Sequence, residues 1–343
     1  DTVIAVYFSP ELTLGRHAVA ATESAERSQP GGQRGSDGRY ILLGIGSTLI
    51  WCWSGVCFRM GADLMGSAMV YLTFMSGGGA LTAVALQYAR RQPLANMYRL
   101  PVRVIVAGFF GVALYTVMLA TAFGIVSVSD IGQINLLNYL WPVWMVVLGI
   151  LLLGGRPNVV MAVAGILTGL VGVAVSRGFD LLAHPPSSLV PHALALAGGF
   201  FWALYVVLLR RWKIPDEKGG TAFHFATCSA MAGGIAAYMG HWSSMPPWSG
   251  AMVFWVVVGA VGPVGIAYSM YEISVKNGPV LIIASLAYFI PIGSSALIGL
   301  FFKETMNGGL IMGAVLIAIG AWLVRCASRD LGPAEERPAE TGQ

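Results

Sequence analysis

The chain has 343 residues, 56% of them hydrophobic and only 10% charged, with a net charge of +4 and a mean hydropathy of +0.72. An average soluble domain carries about a quarter charged residues, so this composition cannot cover itself in water. A soluble enzyme, a disordered chain and a nucleic-acid binder are disfavoured together, and a multi-spanning membrane protein remains.

Residues 1–38 are rich in Gly, Ser, Gln and charge. They read as a flexible cytoplasmic tail or a non-native addition. The apolar piece 3–8 is too short to span and lacks a basic flank, which argues against a signal peptide. A membrane-spanning helix needs about 20 mostly apolar residues, and ten such runs follow. Span 1 (40–60) carries Trp51 and Trp53 and closes at Arg59. Span 2 (66–88) holds the run Gly77-Gly78-Gly79. Span 3 (104–126) contains Gly108, Gly111 and Tyr115. Span 4 (130–153) starts at Asp130, which reads as a helix cap; it carries Asn135, Asn138, Tyr139, Trp141 and Pro142. Span 5 (158–176) is glycine-rich, and an outer connecting loop covers 177–190. Span 6 (192–209) carries Trp202 and Tyr205, and span 7 (221–240) has His224 in its first turn. Span 8 (250–273) holds Gly259, Gly262, Pro263, Tyr268 and Tyr271. Span 9 (279–302) contains Tyr288 and Pro291, and span 10 (308–324) Gly313 and Gly320. Residues 328–343 read as a disordered tail.

Basic residues set the orientation. With the N-terminus in the cytoplasm, 17 of the Lys and Arg residues fall inside and 3 outside: Arg59, Arg177 and Lys303. An even number of spans then returns the C-terminus to the cytoplasm, which predicts a multi-pass protein of a bacterial inner membrane. The four cysteines (Cys52, Cys57, Cys228, Cys326) fall in or at the end of apolar runs without metal-ligand spacing. They read as small buried hydrophobes, and no metal or cofactor is predicted.

Landmarks recur at one offset. Trp51 and Trp202, Arg59 and Arg210, Gly108 and Gly259, and Gly111 and Gly262 are all 151 residues apart; Pro142 and Pro291 differ by 149. The chain therefore reads as two five-helix repeats, 39–176 and 191–327. Five is odd, so the second repeat inserts the opposite way, and Arg59 outside with Arg210 inside agrees. The predicted fold is an all-α membrane protein of ten transmembrane helices as two inverted repeats, a transporter architecture.

On these features the sequence resembles the drug/metabolite transporter superfamily in its EamA-type branch, over about residues 39–327. The resemblance is carried by the aromatic-centred first helix and the proline-centred fourth helix of each half. The glycine-rich fifth helices (Gly165, Gly169, Gly172; Gly313, Gly320) carry it as well. In that family the fourth helix usually ends in a small residue followed by Glu; Phe302-Lys303-Glu304 fits, whereas Gly155-Arg156 departs from it. The segment Asn135-Leu136-Leu137-Asn138-Tyr139-Leu140-Trp141-Pro142 is similar to the aromatic amino acid exporters of the branch. The resemblance implies a central path lined by the first, third and fourth helices of each half.

Polar groups in a bilayer pair with one another or face a cavity. Asn135, Asn138, Tyr139 and Pro142 are spaced i, i+3, i+4 and i+7, on one helical face. Pro142 has no N–H, which frees a carbonyl near residue 138. Such a stripe offers donors to a carboxylate and acceptors to an ammonium, although asparagines also tie helices together. Trp141, Trp51, Tyr115, Trp202, Tyr205, Tyr268 and Tyr288 are the candidate aromatic walls, with core packing or an interfacial belt as the plain alternative. Pro142 and Pro291 are candidate hinges. Glu272 and Lys276 are spaced as an i, i+4 pair near the inner end of span 8, and no carboxylate stands at mid-membrane to carry a proton.

These features predict a non-enzymatic exporter of neutral, by preference aromatic, amino acids or related metabolites. It works by alternating access, without proton coupling. Its expected partners are that small molecule and membrane lipid, not nucleic acid; the residues leave the oligomeric state open, a monomer included. A carrier of drugs or nucleotide-sugars is the alternative, though a phosphorylated cargo calls for cationic lining. An intramembrane enzyme is disfavoured by the lack of Gly-x-Ser-Gly and Gly-x-Gly-Asp signatures.

Overall fold

The computed structural model describes residues 30–97, 99–126, 134, 137–153, 158–176, 188–212, 220–277, 286, 289–302 and 308–327. Among these, every regular element is helical and no strand occurs. In chain order the α-helices are α1 (Pro30–Cys52), α2 (Ser54–Met65), α3 (Ala68–Ala89), α4 (Val102–Gly108), α5 (Tyr115–Ile125), α6 (Trp141–Leu153) and α7 (Val159–Ser176). They continue with α8 (Val190–Arg211), α9 (Thr221–Tyr238), α10 (Gly250–Gly259), α11 (Ala267–Asn277), α12 (Ile290–Phe302) and α13 (Gly308–Ala327). A π-turn, Phe109–Leu114, joins α4 to α5, and a second, Ala260–Ile266, joins α10 to α11.

Among the described residues, five helical stretches are long and apolar enough to cross a bilayer: Gly38–Met65, Ala68–Ala89, Val102–Ile125, Val190–Leu209 and Gly250–Tyr271. They coincide with spans 1, 2, 3, 6 and 8. Val160–Gly172, Ile292–Phe302 and Gly308–Val324 are shorter apolar helices, within spans 5, 9 and 10. Large apolar side chains such as Leu42, Leu81, Val160 and Leu300 stand exposed on the outer faces. Such faces are stable against lipid and not against water.

Span 1 runs farther than its hydropathy suggested. It breaks at Trp53, whose N–H bonds to the Ile50 carbonyl at 3.1 Å, and resumes as α2 to Met65. Gly66 stops it in the left-handed region at φ 66°, donating its N–H to the Asp63 carbonyl; glycine takes this conformation without a Cβ clash. Ser67 then caps α3 by accepting from the Val70 N–H at 3.3 Å. Arg59 holds this corner: it bonds Asp63 at 2.9 Å and donates to the Phe123 carbonyl at 2.9 Å. Span 4 also differs from one unbroken helix. Asn138 is helical, Tyr139 and Leu140 form a turn, and α6 starts at Trp141. Pro142 explains the interruption, because it supplies no N–H and disfavours helical conformation in the residue before it. Asp130 lies outside the described residues, as do the side chains of Glu272 and Lys276.

Packing exchanges partners between the two halves of the chain. The α1 helix packs on α11 and α12, while α8 packs on α5 and α6. The α3 helix meets the second π-turn, and α9 meets the first. The second and seventh spans, α3 and α9, face each other, as do α7 and α13 of the fifth and tenth. Gly165 lies against the Gly320 carbonyl, and Gly172 against that of Gly313; an added Cβ would stand 2.6 and 2.7 Å from those oxygens. The Asn158 N–H reaches the Ala327 carbonyl at 3.0 Å. The pairs 158/327, 165/320 and 172/313 step by seven in opposite directions, so α7 and α13 run antiparallel. Between halves the core is filled by Val56, Met65, Tyr71, Leu72, Phe225 and Ile298. The Tyr71 hydroxyl donates to the Trp255 carbonyl at 2.7 Å, and its ring fills the space beside Gly61.

Candidate functional site

The breaks in spans 1, 3, 4 and 8 surround one cavity of about 170 Å³. Its lining comes from both halves. Trp51, Ser54, Gly55 and Phe58 descend one face of α1 and α2; Tyr115, Thr116, Leu119, Ala120 and Phe123 form a similar stripe on α5. Asn138, Tyr139 and Trp141 enter from the broken fourth span, Trp202 and Val206 from α8, and Phe225 from α9. Met75 of α3, Pro263 and Val264 of the second π-turn, Tyr268 and Tyr271 of α11 and Ile290 of α12 complete the described wall. None of these residues is charged.

The aromatic rings interlock. Trp51 meets Tyr268 edge-on at 5.0 Å and Tyr271 at 4.9 Å. Trp202 meets Tyr115 and Tyr268, each at 5.9 Å, and Phe225 abuts Tyr268 at 4.9 Å. Tyr268 thus joins the aromatic walls of the two halves. The indole N–H of Trp51 donates to the Pro263 carbonyl at 3.1 Å, and the Thr116 hydroxyl donates to the Val112 carbonyl at 2.6 Å.

The polar end is built on Asn138. Its side chain is hydrogen-bonded to the Tyr115 hydroxyl, while its buried Oδ1 has no partner among the described residues. The amide nitrogen therefore serves Tyr115, and the carbonyl oxygen is left for whatever fills the cavity. A buried acceptor without a donor costs about 1–3 kcal/mol. The backbone carbonyl of Asn138 packs on Gly199 of α8, where a Cβ would come within 3.0 Å. Tyr139 is hydrogen-bonded to Ser294 of α12.

Of the residues singled out in the sequence, Trp51, Tyr115, Asn138, Tyr139, Trp141, Trp202 and Tyr268 meet at this cavity. Tyr205 does not line it; it stands buried behind Trp202, with its ring 5.8 Å from that of His224. Asn135 and Tyr288 lie outside the described residues. Pro142 and Pro291 are the second residues of α6 and α12. Ser54, Phe58, Thr116, Phe123 and Phe225 were missed. For Ser54 and Phe58 the signal was present, since they follow Trp51 at i+3 and i+7 on the same face.

The EamA-like transporter family matches the chain twice, over residues 38–178 and 190–326. The aromatic amino acid exporter YddG of Salmonella typhimurium (strain 14028s / SGSC 2262) is 26% identical over 302 residues, covering 84% of this chain and 96% of that protein. The protein of the same name from Ancylobacter novellus is 28% identical over 292 residues, covering 84% and 97%. That from Escherichia coli (strain K12) is 25% identical over 302 residues, covering 84% and 96%. One solved crystal structure superposes with a TM-score of 0.63 at 25% identity, covering 86% of this chain and all of the other.

Proposed function

Since the chain belongs to the EamA-like transporter family, we propose that it exports neutral, aromatic amino acids or closely related metabolites by alternating access, without proton coupling. The carrying observation is the cavity: aromatic walls from both halves, no charged group among its described lining, and one buried amide oxygen without a donor. A hole of about 150 Å³ lined by apolar side chains accepts benzene, so this one is of the size for a single ring with a short polar head. Asn138 Oδ1 accepts from the substrate ammonium, and the Tyr and Ser hydroxyls donate to its carboxylate. Aromatic faces add cation–π attraction for the ammonium. The naming of the similar proteins as aromatic amino acid exporters supports the same cargo.

The transport cycle follows from ten spans arranged as two oppositely inserted repeats, 39–176 and 191–327, in a bacterial inner membrane with both termini cytoplasmic. The double family match, the partner exchange between halves and the antiparallel α7 and α13 support that arrangement. Exchanging the conformations of the repeats opens one central site to either side. Counterflow in proteoliposomes tests the reading. Preloaded phenylalanine, tyrosine or tryptophan is expected to accelerate uptake of its labelled form, equally with and without a pH gradient. Failure of every amino acid to exchange above protein-free vesicles overturns the cargo, and acceleration by the gradient overturns the uncoupled mechanism.

A further inference from the structure

The two π-turns hold their neighbouring tryptophans differently. The turns start at Phe109 and Ala260, 151 residues apart, and the same offset relates Trp51 to Trp202. Their surroundings keep this register: Ile50 lies against Gly262 in one half, and Phe201 against Gly111 in the other. A π-turn interrupts the i→i−4 ladder, so its carbonyls become available to side-chain donors. At Pro263 the donor is Trp51, with its indole N–H 3.1 Å from the carbonyl oxygen. The same offset maps Pro263 onto Val112. There the carbonyl accepts from the Tyr115 backbone N–H and from the Thr116 hydroxyl at 2.6 Å. A carbonyl has two lone pairs, so both are taken. The Trp202 indole N–H makes no hydrogen bond among the described residues.

The geometry points to Thr116 as a positioning residue: by occupying the Val112 carbonyl it keeps Trp202 unlatched while Pro263 latches Trp51, and the two latches exchange in the opposite-facing conformation. This rests on the alternating-access reading, because the swap of repeat conformations is what makes the two indoles trade roles. Trp51, Thr116 and Trp202 all line the cavity, so each latch fixes one indole wall of the substrate path and leaves the other movable.

Indole hydrogen exchange of the full-length protein in lipid nanodiscs, labelled with ¹⁵N-tryptophan, tests the assignment without any substrate. Trp51→Phe and Trp202→Phe identify the two signals. In the unsubstituted protein the Trp51 indole is expected to exchange slowly and the Trp202 indole fast. Thr116→Val frees the Val112 carbonyl; Trp202 is then expected to slow and Trp51 to speed up, each by about tenfold, the equilibrium worth of one hydrogen bond. Thr116→Ser, which keeps the hydroxyl, retains the original pattern. Thr116→Ala removes the hydroxyl as well and serves if valine is not accommodated. Unchanged Trp51 exchange in the hydroxyl-free variant overturns the proposal, whatever Trp202 does, because the latches are then independent. A protein whose indoles trade places but which exchanges no amino acid refutes the proposed cargo and leaves the latch standing.

Discussion

Asn138 stands at the end of a helical turn that proline does not allow to continue, and this gives its side chain two tasks. The amide nitrogen bonds Tyr115 and the oxygen faces the cavity without a donor. Asn138→Ala is expected to slow amino acid counterflow by about tenfold, in line with one hydrogen bond to a charged group. The melting temperature moves little, because the substitution removes an unpaired buried oxygen along with a satisfied nitrogen. Paired measurements of counterflow and thermal unfolding check both halves of the statement. At this scale the sequence was informative where chemistry is scarce: an asparagine or a tryptophan in an apolar run has few uses, so Asn138, Trp51 and Trp202 could be picked by type. Phe58, Phe123 and Phe225 could not, since a phenylalanine in a membrane helix has the same identity facing lipid, core or cavity. Tyr205 shows that type does not fix placement. It carries the right chemistry three residues from Trp202, yet packs behind it.

At the scale of elements, the helices are shaped by where they stop or widen. The left-handed Gly66 and the Ser67 cap join spans 1 and 2 in two residues, and a glycine followed by serine between apolar runs is a readable signal. The π-turns were not readable. One additional residue in a turn shifts the apolar pattern by too little to register, and only Gly111, Gly262 and Pro263 hinted at them. The glycine contacts of α7 and α13 were visible as spacing, but which helix they served was not. Gly165→Val places side-chain carbons where the Gly320 carbonyl already sits. Backbones in contact have no rotamer to offer, so the helices separate. The expected cost is about 1–3 kcal/mol, read as a lowered midpoint in thermal unfolding of the detergent-solubilised protein. Gly234→Val is the control, since this glycine is exposed in α9 and nothing among the described residues lies within 4 Å of its Cβ position.

For the whole molecule, the positive charges predict two tails on one side of the membrane. Cysteines introduced near residues 20 and 335 are both expected to resist an impermeant maleimide in intact cells and to react after the cells are opened. Labelling of one tail alone from outside would break the ten-span count. Two features of the sequence bear on architecture at this scale: charge bias predicts an orientation, and the landmarks at one offset parallel the two family matches over 38–178 and 190–326. What the offset could not convey is which spans touch. Contacts such as α1 with α11 or α8 with α5 depend on shape complementarity distributed over small residues, and no single position announces it.

The exchange of partners has a consequence for how the protein can be made. Each half finds the surfaces that cover its own helices on the other half, so neither is a complete folding unit once its segments are in the lipid. Residues 177–190 join the two halves in the chain. A gene severed there is expected to yield two polypeptides that are degraded when expressed singly, and a working carrier when both are produced in one cell.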